Sequence, residues 1–339
     1  MNILKKYVDA FRNDRDLDGA EAEVFLDALV SETDDQLLSE LFIAWNSKDI
    51  TSDEIYEIAR IMRGRCTRVV TAHEKFIDIV GTGGSRSKTF NVSTAAAFVI
   101  AGAGIPVAKH GNKAATSNSG SADVLSALGV EPAVDASTAE RCLNDIGICF
   151  MFAPNFHRLS ATLAKVRRGL GFPTIFNCVG PLCNPANAPH RLIGVWDKSL
   201  VPKMADALAR LGTEKSWIVY GDDGLDEISL NAPTFVAEVD GGSVQTFEIS
   251  PTDVGLKATK LNGIRIESAD ESAALIRSVL GGKLSESAAE HLVTLNAAAA
   301  LFIAGGAKSL VEGFELAAES LRSGRAAMKL KELAEAVKK

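Results

Sequence analysis

From residue 76 onward, short apolar, β-branched runs alternate with helical stretches, and this rhythm constrains the fold more than any other feature. Residues 77–80, 105–109, 148–152, 192–195 and 217–220 read as strands, with helices expected over 95–104, 121–128, 156–170 and 201–211. Strands joined through helices pair in parallel, because the chain must cross back over the sheet before it can run the same way again. The expected fold class is α/β, with a mainly parallel central sheet flanked by helices. Residues 235–239 and 244–249 enclose Asp240-Gly241-Gly242, which predicts a hairpin adding antiparallel strands at one end of the sheet. The last third, including 271–280, 285–304 and 309–321, reads as helix.

Residues before this alternation carry only helical periodicity. Ile3, Tyr7, Ala10 and Phe11 share a face, and Leu37, Leu38, Leu41, Phe42 and Trp45 form another stripe. Thr51 and Glu54 have capping-box spacing just ahead of Ile55, Ile58 and Met62. Four amphipathic helices make a small bundle, which serves either as an accessory cap or as a face for another subunit.

A chain of 339 residues accommodates two unequal domains, or one large α/β domain with an accessory piece. Its 47% apolar and 23% charged residues suit a folded core. A net charge of −7 argues against a nucleic-acid surface as the main function. The five cysteines are odd in number and lack CxxC spacing, as expected of reduced thiols, and Cys178, Cys183 and His190 fit no recurrent zinc pattern. Residues 1–8 are too polar for a signal peptide, and the apolar run 95–107 is too short to span a bilayer. The expected setting is cytoplasmic, with no membrane or nucleic-acid partner.

Three polar loops fall where strands are expected to end. The first, Gly81-Thr82-Gly83-Gly84, leads through a hydroxyl-rich segment into an alanine-rich helix. Glycines let the backbone approach a ligand closely, and main-chain amides at the helix start favour an anion. Taken alone, the same loop serves equally as a tightly packed turn. The second loop runs from Lys109-His110-Gly111-Asn112 to Ser119-Gly120-Ser121. It offers a cation suited to phosphate, polar groups for a substrate and a second helix N-terminus. The third, from Gly221 to Ser229, holds Asp226 and Glu227, either as ligands for Mg²⁺ or as part of a solvated acidic loop. Neither a P-loop nor G-x-G-x-x-G is completed: Ser87 precedes Lys88 where a P-loop has glycine.

Taken together and in this order, these motifs resemble those of the anthranilate phosphoribosyltransferases over nearly the whole chain. The likeness rests on the three loops, on Thr89-Phe90-Asn91-Val92-Ser93-Thr94, and on Thr174-Ile175-Phe176-Asn177, Gly180-Pro181-Leu182 and Asn184-Pro185-Ala186. The resemblance implies transfer of the phosphoribosyl group of 5-phosphoribosyl-1-diphosphate (PRPP) to anthranilate. It implies a homodimer, with a helical domain over 1–72 joined by the helix near 156–170, and a catalytic domain over 73–339. Gly81, Gly83, Gly84, Ser85, Thr89, Asn91, Ser93, Thr94, Lys109, Ser119 and Ser121 would then hold PRPP. Gly81, His110, Asn112, His157, Arg167, Gly180 and Pro181 would face anthranilate, and Ser93, Asp226 and Glu227 would hold Mg²⁺. Two positions depart from the family pattern. Ser85-Arg86 stands where an aspartate usually follows the double glycine, and Pro173 stands where an arginine often precedes Thr174. Rival readings are a nucleic-acid-binding paralogue, a pyrimidine-nucleoside phosphorylase and a non-catalytic dimerisation protein.

Overall fold

The computed structural model describes residues 2–84, 89–114, 119–261 and 264–338. Four helices come first: α1 (Ile3–Arg12), α2 (Ala22–Ser31), α3 (Asp35–Ser47) and α4 (Ser52–Arg65). The expected capping box is present at α4: the Thr51 hydroxyl accepts from the Glu54 amide, and Glu54 accepts from the Thr51 amide. The wholly buried Glu54 carboxylate also accepts from Lys48 at 2.7 Å and from the Trp45 indole at 3.1 Å, so its charge is compensated inside the bundle.

The alternating region follows as β1 (Ile77–Gly81), α5 (Val92–Gly102), β2 (Val107–Gly111), α6 (Ser121–Ala127), α7 (Ala136–Ile146) and β3 (Ile148–Phe152). Then come α8 (Ala153–Phe156), α9 (Ala161–Leu170), α10 (Ile175–Leu182), β4 (His190–Gly194), α11 (Leu200–Leu211) and β5 (Lys215–Gly221). The hairpin β6 (Thr234–Asp240) and β7 (Ser243–Ile249) precedes α12 (Ala269–Leu280), α13 (Ala288–Ile303), α14 (Leu310–Arg322) and α15 (Arg325–Ala336). Strand order is β3-β2-β1-β4-β5-β6-β7, parallel through β5 and antiparallel thereafter, as the sequence rhythm predicts.

Three helical features differ from expectation. Helix α7, capped by the Asp135 side chain and ended by Gly147 in the left-handed region, lies in a stretch without an expected element. The helix expected over 156–170 is two helices, broken between Phe156 and Ala161. Helix α10 forms despite Gly180-Pro181: the proline forgoes one bond, to the Asn177 carbonyl, and the helix ends one residue later at Leu182.

Alternation along the strands sends side chains to two cores. Ile79, Trp217, Val219 and Val236 pack with α5 and α13 on one face. Ile193, Ile218, Ala237 and Val239 pack with α10, α11 and the N-terminal helices on the other. Leu163 and Val166 of α9 join this second core, and Lys165 pairs with Asp35 of α3. Among the described residues no helix is long and apolar enough to cross a membrane.

Candidate active site

Strand order reverses at β1: the chain steps outward through β2 and β3, then returns to place β4 on the other side. Such a switch point opens a crevice at the carboxyl ends of parallel strands. A cavity of about 340 Å³ lies here, reached by all three loops. Its floor depends on two glycines paired across β1 and β4, Gly81 and Gly194. A Cβ on Gly194 would sit 1.6 Å from the Asp226 carbonyl oxygen, and one on Gly81 would sit 2.9 Å from the Asp226 carboxylate. Bare backbone at both positions is what lets the acidic loop reach the strand ends.

Gly83 and Gly84 both take positive φ, 68° and 87°, the conformation expected of a glycine loop that turns back on itself. Beyond it, Asn91 ties two loops and a distant helix together. Its carboxamide oxygen accepts from Ser119 at 2.7 Å and from Ser272 of α12 at 2.9 Å, and its amide donates to the Ser272 hydroxyl at 3.0 Å.

Adjacent residues of β2 serve opposite faces of the sheet. Lys109, nearly fully buried, turns toward α5 and donates to the Ile79 carbonyl and, at 3.2 Å, to the Ser93 hydroxyl. Burial lowers its pKa, and the carboxylates of Asp78 and Glu227 oppose that shift. His110 turns toward α10 and donates from Nδ1 to the Gly180 carbonyl at 3.2 Å, which leaves Nε2 without a proton. Burial holds His110 well below its ordinary value and pushes His157, whose ring centre is 5.1 Å away, down to about 4. Both rings are therefore neutral at physiological pH. Asp78 on β1 braces this pair of strands: it accepts from the His110 amide at 3.1 Å and from Asn184 at 2.8 Å.

The α10 end of the cavity carries a cation. Arg167 of α9 donates to the Thr174 hydroxyl at 3.2 Å and lies over the Phe176 ring, 4.9 Å from its centre. Burial lowers its pKa to about 10, so it stays charged at neutral pH. Among the described residues it has no acidic partner within ion-pair distance. At the acidic loop, Glu227 is pushed up to about 8, first by burial and then by the neighbouring Asp226 charge. A carboxyl whose ionisation is held back beside a second oxygen donor fits a hard divalent cation, which would restore its charge. Asp222 and Asp223 are used otherwise, in an ion pair with Lys198 and in accepting from the Ser229 hydroxyl.

The residues singled out in the sequence thus converge on one cavity. Gly81, Gly83, Gly84, Thr89, Asn91, Ser93, Lys109, Ser119 and Ser121, expected at PRPP, line it together with His110, Asn112, His157, Arg167, Gly180 and Pro181, expected with Gly81 at anthranilate, and with Asp226 and Glu227. Thr94 is buried behind the wall, with its hydroxyl unpartnered among the described residues. Ser85 lies outside the described residues.

Residues 73–327 match the model of the glycosyl transferase family, a/b domain. The anthranilate phosphoribosyltransferase of Ectopseudomonas mendocina is 44% identical over 312 residues, covering 91% of this chain and 90% of that protein. That of Bradyrhizobium sp. (strain BTAi1) is 42% identical over 98% of both chains. The chain belongs to the anthranilate phosphoribosyltransferase family. Solved structures of the family superimpose closely on it. The Thermus thermophilus enzyme gives a TM-score of 0.88 at 35% identity over the full length of both chains. The Saccharomyces cerevisiae enzyme in complex with PRPP and Mg gives 0.88 at 30% identity, covering 99% of this chain and 98% of that one. Membership of the anthranilate phosphoribosyltransferases favours this reading over the phosphorylase and nucleic-acid-binding alternatives.

The motifs left several cavity residues unassigned. Phe176 and Asn177 line the α10 wall, and Asn177 ties the first loop to it by donating to the Thr82 carbonyl at 3.1 Å. The capping spacing from Thr174 to Asn177 is the signal that would have placed them on a helix. Met62 reaches the cavity from the N-terminal bundle and Ile266 from the segment before α12, neither with a local sequence signal.

Proposed function

We propose that this cavity binds PRPP and anthranilate together and transfers the 5-phosphoribosyl group to the anthranilate amine, giving N-(5′-phosphoribosyl)anthranilate and pyrophosphate. One observation carries the assignment of sides. A single cavity has glycine-loop amides and Lys109 on one wall. On the other it has a guanidinium without an acidic partner among the described residues, beside two neutral imidazoles. The first wall suits phosphates, the second an aromatic acid whose carboxylate pairs with Arg167.

The residues act mainly by position. Loss of pyrophosphate leaves positive charge on the ribose and spreads negative charge over the leaving group. Main-chain donors at Gly83 and Gly84, together with Lys109, oppose the second. Ser93, Asp226 and Glu227 would hold Mg²⁺, which supplies further positive charge to the diphosphate when bound. The aryl amine already carries its lone pair, so holding it in line with C1′ suffices and no base must first remove a proton. Neutral His110 and His157 keep that end of the cavity free of a charge that would compete with Arg167.

The same reading assigns residues 1–72 to a helical domain and 73–339 to a catalytic one, places the protein in the cytoplasm and pairs it with a second copy through the helical domain. Five buried free thiols support a reducing compartment. Exposed Val24 on α2 and Ile43 on α3 support the pairing face.

The test is to mix the chain with PRPP, Mg²⁺ and anthranilate and follow the loss of anthranilate fluorescence. Turnover is expected. Lys109→Ala should lower kcat/KM by roughly a hundredfold or more, the scale of losing a donor at the developing charge. Asp226→Asn should raise the Mg²⁺ concentration required. Absence of wild-type turnover across a range of Mg²⁺ would overturn the reading.

A further inference from the structure

The bundle helix α4 carries a buried guanidinium to the point where two other helices end. Arg63, in the last turn of α4, is 8% exposed. Its Nε donates to the carbonyl of Leu182, the last residue of α10, at 2.6 Å. Its Nη1 donates to the carbonyl of Leu211, the last residue of α11, at 3.0 Å. Terminal helix carbonyls lack intrahelical partners and carry partial negative charge, so a planar cation with donors in a fixed fork satisfies both ends at once. One rigid group then sets how far apart α10 and α11 end and how they are turned.

The end of α10 is the acceptor wall of the cavity. Pro181 and Gly180 line it one and two positions before Leu182, and the Gly180 carbonyl is the partner of His110. Met62, next to Arg63 on α4, touches the same cavity. The first turn of α10 is tethered separately, by Asn177 to the Thr82 carbonyl and by Thr174 to Arg167. On the phosphate side, Asn91, Ser93 and Lys109 are held by Ser119, Ser272 and the Ile79 carbonyl, without Arg63.

We infer that Arg63 is a positioning residue for the aromatic acceptor: from the helical bundle it fixes the last turn of α10, and with it the wall against which the acceptor ring packs, while leaving the phosphate side untouched. The inference rests on the assignment of sides proposed above. It connects the N-terminal helices to substrate selection through one side chain that contacts neither substrate.

Steady-state kinetics with each substrate varied in turn test this. Arg167→Ala, expected to raise the KM for anthranilate and leave that for PRPP within about twofold, checks the assignment of sides by itself. In Arg63→Ala the KM for anthranilate should rise roughly tenfold, short of the roughly hundredfold that a misplacement of about 1 Å from a distant change can cost. The KM for PRPP should stay within about twofold, because no phosphate-side contact is lost. Arg63→Lys, whose ammonium reaches one carbonyl at a time, should recover part of the loss. With the wild type active, a parallel rise of both KM values, or no rise in either, overturns the inference. If Arg63→Ala does not fold, Arg63→Lys decides alone: an anthranilate KM equal to wild type, or a PRPP KM rising with it, overturns the inference just as directly.

Discussion

Single atoms decide whether the three loops can meet. At Gly194 the missing atom is a Cβ that would lie 1.6 Å from the Asp226 carbonyl oxygen, far inside any real contact. Gly194→Ala must therefore push the acidic loop off the strand ends. The expected outcome is a folded protein with a raised Mg²⁺ requirement and kcat/KM lower by about a hundredfold, measured beside an Mg²⁺ titration of the wild type. If the variant kept wild-type kinetics, Asp226 would not depend on this close approach. Gly194 also marks where the sequence stops being legible. Gly83 and Gly84 stand in a cluster that announces a loop, whereas Gly194 lies within the expected strand 192–195 and reads as an ordinary strand residue. Only the strand order reveals that β4 lies beside β1, and therefore that two glycines face the same acidic residue.

At the scale of elements, periodicity exposed the parallel strands and the hairpin because alternation and turn chemistry are local. Helix α10 has no counterpart among the expected elements, since glycine and proline both disfavour helix, yet its end is held from outside by Arg63 and His110. The break between α8 and α9 was hidden too, and it is what turns His157 inward against His110. That burial has a consequence for stability. The His157 pKa lies at about 4 in the fold, against 6.5 ordinarily. The folded value is the lower one, so above about 6.5 the ring is neutral in both states and contributes nothing to pH dependence. As pH falls from about 6.5 toward 4 the unfolded chain takes up the proton first, and stability drops by an amount on the order of 3 kcal/mol. Melting temperatures recorded from pH 7 to pH 4.5 should therefore fall less steeply for His157→Gln than for the wild type. Parallel curves would show that His157 is not held neutral by burial.

At the scale of the whole molecule, the N-terminal helices are not a separate appendage: their core runs on through α9, α10 and α11 to one face of the sheet. Val24 and Ile43, each more than half exposed, are what this core leaves uncovered on α2 and α3. Sedimentation of the wild type should give twice the mass of one chain, and the double change Val24→Glu with Ile43→Glu should shift the equilibrium toward single chains. A wild-type monomer at micromolar concentration would remove the proposed pairing. The sequence indicated which helices were amphipathic. Which apolar residues stay outside depends on how four helices stack, and no local pattern records that.

The alternation that sends Lys109 to one face of the sheet and His110 to the other has a consequence for how such a protein can change over generations. On the proposed assignment of sides, the two substrates are recognised by different helices on different sides of one β-layer, so mutations in the last turn of α10 would alter the choice of acceptor without disturbing the grip on the shared sugar phosphate. New aromatic acceptors are thus within reach of selection by drift in one helix. A shift of β2 by a single residue is closed to it, because it would exchange the cation and the imidazole and abolish both halves of the site in one step.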